Sequence, residues 1–232
     1  GIDPIDGKRK SGPVPLKKLE EYQTFEEFYD GYKALLDYYL DLSVKAQYHS
    51  YEVMNQHVSF LFTSLLTDDC IARGKALLDG GVRYLGGTNE TYGNINTSDS
   101  LWVIRDLVFN QKKYTLRQLN DAMLANFNGY EALRKDCLNC DKYGNDLETA
   151  DTMANDLYEF VAKGVRNRGI AIGMQYFLIV ISNNQLNTEW GNRTAASPDG
   201  RLSCMYMNPA NNPQGGANKS GPTAMLNSLA KF

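Results

Sequence analysis

Cys137 and Cys140, spaced as Cys-x-x-Cys, are the residues whose spacing most directly suggests chemistry. Such a pair can supply half of a tetrahedral zinc site or act as a redox-active dithiol. A zinc site needs further ligands, and the sequence has no second CxxC motif and no histidine near this one. We therefore interpret the two cysteines as an ordinary pair near a helix end and predict no metal site, with zinc binding and redox chemistry as the alternatives.

His49 and His57 lie eight positions apart, about two helical turns, so they could share one face of a helix. A metal would need more ligands, and Glu52 is the only carboxylate between them. Solvated or capping histidines are the simpler interpretation. Cys70 follows a predicted helix start, where a thiol pKa can fall, and Cys204 lies in the C-terminal loop. For both cysteines we favour packing or surface exposure over a chemical role.

The C-terminal stretch from Ser182 to Phe232 is the most informative part of the sequence. Its segment Pro198-Asp199-Gly200 is typical of a tight turn. Its segment Gly221-Pro222 is typical of a helix start, since proline is well tolerated in the first helical turn. A long structured loop between a strand and a helix is a common place for functional residues.

Helical patterns dominate the elements that would position this loop, and the predicted strands are few and far apart. Because helical sequence follows each strand, the pattern favours an α/β fold whose strands lie parallel. The predicted elements are helices capped by Thr24 and Thr115, a helix from Cys70 that ends at Gly80, a short strand Val82–Leu85, a loop from Gly86 to Asn96, a helix that starts at Asp99-Ser100, a helix that ends near Gly169, and a buried strand Ile170–Ile181.

The composition narrows the function classes. Hydrophobic residues make up 43% of the 232 residues and aromatic residues 11%, which is enough for a sizeable core. The formal net charge is −3, with 24 basic and 27 acidic side chains, so nothing favours nucleic-acid binding or an anionic membrane. The longest apolar run is too short to span a bilayer, and the N-terminus has no apolar signal segment. We expect a cytoplasmic protein with no nucleic-acid or membrane partner.

Several short motifs, in consistent order, resemble those of glycyl radical enzymes. Residues 196–201 read ASPDGR, which is similar to the A-[ST]-P-D-G-R motif of that family. Residues 212–224 resemble its SP-xx-G-x-D-xx-GPTA segment, and residues 228–231 resemble its S-[VLI]-[AS]-K. Further matches are A-D-S-L-x-x-I near Asp99, K-Y-G-N-D at 142–146, the run from His57 to Tyr84, and G-[VI]-D-P at 1–4. The resemblance covers essentially the whole chain.

Three departures from the family pattern concern the predicted pocket. Asn212 stands where serine is usual, and Asn218 stands where aspartate is usual. Between the motifs, the segment from Leu202 to Met207 replaces one that usually reads like KAGEPLADG. These departures bear on the chemistry of the pocket more than on the fold.

The resemblance implies a fold and a mechanism for a longer parent protein. Residues 1–232 would be a single partial domain, the middle-to-late part of a ten-stranded α/β barrel. The parent would carry a glycyl radical installed by a radical S-adenosylmethionine activating enzyme, and it would form a homodimer. A cysteine thiyl radical would abstract hydrogen from a small-molecule substrate. The spacing around Asp99 and Asn145 is closer to the dehydratase and C–O/C–N lyase branch than to pyruvate formate-lyase.

Neither radical residue is expected among these 232. The resemblance implies that the thiyl hairpin lies upstream of Gly1 and the glycyl motif downstream of Phe232, so that this piece alone is not catalytically competent and binds no cofactor. We predict that the loop from Asn208 to Ser220 forms a substrate wall in which the amides of Asn211 and Asn212 bind hydroxyl, carbonyl or carboxylate groups. The alternative is that both amides only make turn hydrogen bonds. For the protein, the alternatives are formate acetyltransferase activity in the parent and a truncated, non-enzymatic homologue.

Overall fold

The computed structural model describes residues 12–174, 176–181 and 184–231, and the motif at residues 1–4 lies outside them. The described part is mostly helical. Its helices are α1 (Phe25–His57), α2 (Leu61–Leu66), α3 (Cys70–Arg73), α4 (Asn94–Val103), α5 (Leu116–Leu124), α6 (Glu131–Asn139), α7 (Glu148–Ala171), α8 (Asn184–Asn192) and α9 (Gly221–Leu229), and its strands are β1 (Gly86–Thr91) and β2 (Tyr176–Ile181).

Three of the predicted helix starts are confirmed. Thr24 caps α1, since its Oγ1 accepts a hydrogen bond from the backbone N–H of Glu27 at 3.2 Å. Thr115 caps α5 with a full capping box, and its Oγ1 accepts from the N–H of Gln118 at 3.1 Å. α9 begins at Gly221 with a proline in its first turn. These caps satisfy backbone N–H groups that have no partner inside the helix.

The chain divides into two compact units. The first contains the described residues up to Leu35, the range Thr91–Glu159, and the described residues from Ile181 onward. Its core includes Ile95 of α4, Tyr143 and Ala154 of α7, each almost fully buried. α4 continues without a break into a π-helical stretch at Ile104–Asn110. The C-terminal loop, residues 193–220 between α8 and α9, belongs entirely to this unit.

The second unit consists of Leu36–Glu90 and Phe160–Val180. Its core is formed by Leu40 and Val44 of α1 with Val165 of α7, and Phe160 and Phe177 pack against them. β1 pairs with β2 in a two-stranded sheet. These two are the strands found among the described residues.

The predictions for residues 82–96 are wrong. Residues 82–85 are not a strand, and the predicted loop contains both β1 and the start of α4. The sequence of β1, GGTNET, has no alternating apolar pattern, so its strand conformation depends on the pairing with β2. A Cβ on Gly87 would lie 2.8 Å from the ring of Phe177, so glycine lets the two strands approach closely.

Three further boundaries differ from the predictions. The helix that begins at Cys70 is a single turn, because Gly74 with a φ of +61° closes it at Arg73. α4 starts at Asn94, five residues before Asp99, with Gly93 in the left-handed region as its N-cap. α7 runs to Ala171, close to the expected end at Gly169, so β2 occupies only the second half of the predicted strand. In the described part of the chain, no helix is both long enough and apolar enough to cross a membrane.

Candidate functional site

The C-terminal loop is attached to the start of α4 by a network of amide hydrogen bonds. Asn96 and Asn208 bond reciprocally: the N–H of Asn208 donates to Oδ1 of Asn96 at 2.7 Å, and the N–H of Asn96 donates to Oδ1 of Asn208 at 3.2 Å. Nδ2 of Asn96 also donates to Oδ2 of Asp199 at 2.6 Å and to Oε1 of Gln214 at 3.1 Å. Asn96, Asn208 and Asp199 are buried, so these contacts define the path of the loop.

Asn211 and Asn212, the predicted substrate-binding residues, lie on the same loop in different surroundings. Asn211 is half-buried, and its Oδ1 accepts a hydrogen bond from Nδ2 of Asn94 at 2.9 Å. The side chain of Asn212 is exposed, and its backbone N–H donates to the carbonyl of Pro209 at 3.0 Å in a turn. The side-chain amide of Asn211 is thus held by a hydrogen bond at Oδ1, and that bond does not use its Nδ2 donors. The side-chain amide of Asn212 is exposed at the surface.

The 142–146 segment holds the far end of the loop. Nδ2 of Asn145 donates to the carbonyl of Ala217 at 3.0 Å, and its Oδ1 accepts from the N–H groups of Lys219 at 2.6 Å and Ser220 at 3.1 Å. Gly144 has a φ of +90°, and an added Cβ there would lie 2.7 Å from the ring of Pro213. Glycine is therefore required at this position for both its conformation and the contact.

Asn218 makes contacts that the aspartate usual in the family could not make. Its Nδ2 donates to the carbonyls of Gly144 and Gly221, the latter at 3.1 Å, and its Oδ1 accepts from the N–H of Gly221 at 3.1 Å. A carboxylate has no donor for the two carbonyls. The departure at this position is therefore compatible with an ordered loop.

The predicted turn at residues 198–200 is confirmed, and it organises the charged side chains around it. The N–H of Gly200 donates to the carbonyl of Ser197 at 3.0 Å. Oδ1 of Asp199 accepts from Oγ of Ser197 at 2.6 Å and from the N–H of Arg201 at 3.2 Å. The buried guanidinium of Arg201 donates to several backbone carbonyls, including that of Met205 at 2.8 Å. The charge of Arg201 thus serves to hold the loop.

Asp99 of α4 carries a buried carboxyl. Its Oδ1 accepts from the N–H of Tyr143 at 2.9 Å, while its Oδ2 has no hydrogen-bond partner among the described residues. Burial raises the pKa of the Asp99 carboxyl to about 8, although the Lys142 charge and the Tyr143 hydrogen bond act in the opposite direction. Asp99 is therefore mostly protonated at neutral pH and can donate a hydrogen bond.

Two cavities flank the 198–201 turn within the first unit. One, of about 280 Å³, is lined mainly by aromatic, aliphatic and hydroxyl side chains of α1, α4 and the loop, including Tyr32, Leu101 and Met207. The other, of about 380 Å³, is lined by charged side chains and by the glycines at 215 and 216. Both volumes are of the order of small-molecule pockets, which span roughly 300–1,000 Å³.

The cysteines and histidines do not assemble into a site. Burial raises the pKa of the Cys137 thiol to about 12 and that of Cys140 to about 11, so both are neutral thiols at physiological pH. His49 is exposed and pairs with Glu52 at 3.3 Å. Within the residues that the structure describes, no group of three His, Cys, Asp or Glu side chains could hold a metal ion.

Sequence reasoning missed four residues that the structure brings to the site: Asn94, Asn96, Asp99 and Arg134. From the sequence, Asp99 belongs to a motif and has no assigned role. A usable signal was present, because 94–100 places six polar side chains directly before an apolar helical segment. Polar residues that precede a buried helix must find partners, which here come from the loop more than 100 positions later.

Comparison with known proteins gives consistent results. A family model described as pyruvate formate lyase-like matches residues 1–186. The trans-4-hydroxy-L-proline dehydratase of Clostridioides difficile is 31% identical over 233 residues, which cover 100% of this chain and 29% of that protein.

Two solved structures have similar folds. The hydroxyproline dehydratase of Clostridioides difficile, with trans-4-hydroxy-L-proline bound, matches with a TM-score of 0.92 at 29% identity, over 100% of this chain and 29% of that one. A structure from Roseburia inulinivorans, described for 1,2-propanediol dehydration, matches with a TM-score of 0.88 at 31% identity, over 94% of this chain and 28% of that one. The chain thus spans less than a third of the length of these relatives.

Proposed function

Because this chain belongs to the pyruvate formate lyase-like family of glycyl radical enzymes, we propose that its parent protein is a dehydratase or C–O/C–N lyase that acts on a small polar substrate. The observation that carries the proposal is the 31% identity to a dehydratase along 100% of this chain. Residues 1–232 would form a single partial domain in the middle-to-late part of a ten-stranded barrel. The parent would be a homodimer activated by a separate radical S-adenosylmethionine enzyme.

The glycyl radical of the parent would supply hydrogen abstraction through a cysteine thiyl radical. The residues of this chain would position the substrate and exclude water. Three features support that role: the hydrogen bonds of Asn96 and Asn208, the clamp made by Asn145, and the buried Arg201. A wall held by this many bonds can keep a substrate group in one orientation.

Asn211 and Asn212 are the proposed substrate contacts on this wall. The bond from Asn94 occupies Oδ1 of Asn211, which leaves the Nδ2 group to donate to a hydroxyl, carbonyl or carboxylate oxygen. The exposed amide of Asn212 can both donate and accept. Neither residue would take part in proton or hydrogen transfer.

Electron paramagnetic resonance of the full-length, anaerobically activated protein tests the proposal. We expect a glycyl doublet, and turnover of a hydroxylated substrate from a panel of vicinal diols and hydroxy amino acids. A sample with no doublet after activation would refute the radical mechanism and favour a non-enzymatic homologue. A doublet with turnover of pyruvate and coenzyme A, and of no hydroxylated compound, would instead establish formate acetyltransferase activity.

Alanine variants test the two asparagines. Asn211→Ala and Asn212→Ala should raise KM about three- to tenfold, as expected for the loss of one neutral hydrogen bond, with the glycyl doublet unchanged. Asn128→Ala is the matched control, because Asn128 is exposed and makes the same turn bond, from its N–H to the carbonyl of Ala125 at 3.0 Å. KM values for both variants equal to that of the control would limit the two residues to turn formation.

A further inference from the structure

The cavity of about 380 Å³ in the first unit has an unusual charge balance. Four basic residues line it: Arg134 of α6, Lys142, Arg201 and Lys219. The acidic residues that line it are Asp99 and Asp199. Since Asp99 is mostly protonated at neutral pH, the lining carries an excess of positive charge.

Arg134 is held in place and still has unused donors. Its Nε donates to the carbonyl of Gly200 at 3.0 Å, and the residue is half-buried. Among the described residues, its two terminal nitrogens have no hydrogen-bond partner and no carboxylate lies within salt-bridge distance of it. A guanidinium that is fixed through Nε presents a pair of parallel N–H groups, the geometry that binds a carboxylate with two hydrogen bonds.

Lys142 adds a buried ammonium on the same cavity. Its Nζ donates to the carbonyls of Cys137 at 2.6 Å and of Cys140 at 3.4 Å, so one of its three N–H bonds is left over. In the described part of the chain, it forms no ion pair with a carboxylate. Asp199 lines the same cavity, but its two oxygens accept hydrogen bonds from Asn96 and from the loop itself and form no direct ion pair with Lys142 among the described residues.

Asp99 supplies an independent observation that points to a ligand. It is 1% exposed, it lines the cavity, and its Oδ2 has no partner among the described residues. A buried polar atom without a partner costs free energy that a bound group would recover. In its protonated form the carboxyl has a hydrogen to donate, so the missing partner is a hydrogen-bond acceptor.

We propose that this cavity is a binding site for the carboxylate of a small organic acid, held by Arg134 and Lys142 and by a hydrogen bond from Asp99. Arg134 would bind both carboxylate oxygens, and Gly216, which has open space where a Cβ would be, leaves room for the rest of the molecule. This inference goes beyond the proposed function and does not depend on radical chemistry. Neither Asn211 nor Asn212 lines this cavity.

Isothermal titration of the full-length protein with succinate, acetate, acetamide and inorganic phosphate tests the site. We expect the carboxylates to bind and acetamide, the neutral analogue of acetate, not to bind. Arg134→Gln should weaken acetate binding at least about tenfold, whereas Lys135→Gln, which removes the same charge from the next and exposed residue of α6, should leave it unchanged. Equal binding of acetate and acetamide, no binding at all, or binding of phosphate alone would overturn the proposal.

The pH dependence provides a second test if Arg134→Gln does not fold. The groups that interact electrostatically with Asp99 are Lys142, Asp199 and Asp151, together with the N–H of Tyr143. As the pH rises from 7 to 9, Asp99 ionises and repels a bound carboxylate, so affinity should fall. Asp99→Asn keeps a donor at the position of Oδ2 and cannot ionise. The affinity of this variant for acetate should therefore fall less between pH 7 and 9 than that of the wild type. An identical decline in the variant and the wild type would refute the role of Asp99.

Discussion

Replacing Asn145 by alanine should release the far end of the C-terminal loop. The side chain of Asn145 is 9% exposed and makes four hydrogen bonds. Nδ2 donates to the carbonyls of Lys142 and Ala217, both at 3.0 Å, and Oδ1 accepts from the N–H groups of Lys219 and Ser220. Alanine removes all four bonds and introduces no clash, because it is smaller and the backbone around it is unchanged.

The expected cost follows from these contacts. A typical intramolecular hydrogen bond contributes about 1 kcal/mol net, and a buried partner left unsatisfied costs more. Lys219 and Ser220 are exposed, so water can replace the acceptor for their N–H groups. The carbonyls of Lys142 and Ala217 are less accessible. We therefore expect a loss of about 2–3 kcal/mol in the local free energy of opening, which corresponds to roughly 30- to 150-fold faster exchange.

Hydrogen–deuterium exchange of the full-length protein, followed by mass spectrometry, measures this effect at residues 217–221. Asn128→Ala is a suitable control, since Asn128 is exposed and lies in a turn far from this contact in sequence. Exchange should accelerate in the loop and stay unchanged in α5. If the Asn145 variant exchanges like the control, the loop is held by something other than this side chain, and the reasoning about the 142–146 clamp is wrong.

Three further predictions concern other local contacts. Asn218→Asp should speed hydrogen–deuterium exchange at the N–H of Gly221 at neutral pH. A carboxylate would face the carbonyls of Gly144 and Gly221 without the N–H donors that the amide supplies. Unchanged exchange would contradict this. Cys137 should resist iodoacetamide in the folded protein at pH 7.5, since it is buried and its pKa is raised to about 12, and mass spectrometry showing native-state labelling would refute it. Thr115→Ala should destabilise α5 by about 1 kcal/mol, measured by urea unfolding, with an effect within error counting against the cap.

Local features of the fold were predictable from the sequence because they depend on residues close in the chain. The caps at Thr24 and Thr115 and the turn at Pro198 each rest on a hydrogen bond between residues three apart. The proline-led start of α9 is also local, because the fixed φ of Pro222 suits the first helical turn. A short motif contains both partners of such a bond, so its residue types are sufficient evidence.

The largest error occurs where a distant partner decides the conformation. β1 has the composition of a loop and becomes a strand because β2, almost 90 residues later, pairs with it. Tertiary context here overrides a weak local preference. The early end of α3 is an error of a different kind, because Gly74 caps that helix locally, with its N–H donating to the carbonyls of Cys70 and Ile71.

The candidate functional site also combines features that the sequence predicts with features that it does not. The motif at 196–201, the 142–146 segment and the 212–224 loop were identified from the sequence, and with them the family that the comparisons confirm. Asn211 and Asn212 remain predictions, although the structure places them on the expected loop.

Short motifs in the sequence are enough to identify the family of the chain, the helices that begin at caps and the loop that carries the family motifs. The contact of Asp99 with the backbone of Tyr143, 44 positions later, and that of Arg134 with the carbonyl of Gly200, 66 positions later, emerge only from the folded chain. Burial and charge balance depend on which side chains share a volume of space, and these come from distant parts of the sequence. A carboxyl changes its protonation state when side chains from separate segments exclude water around it.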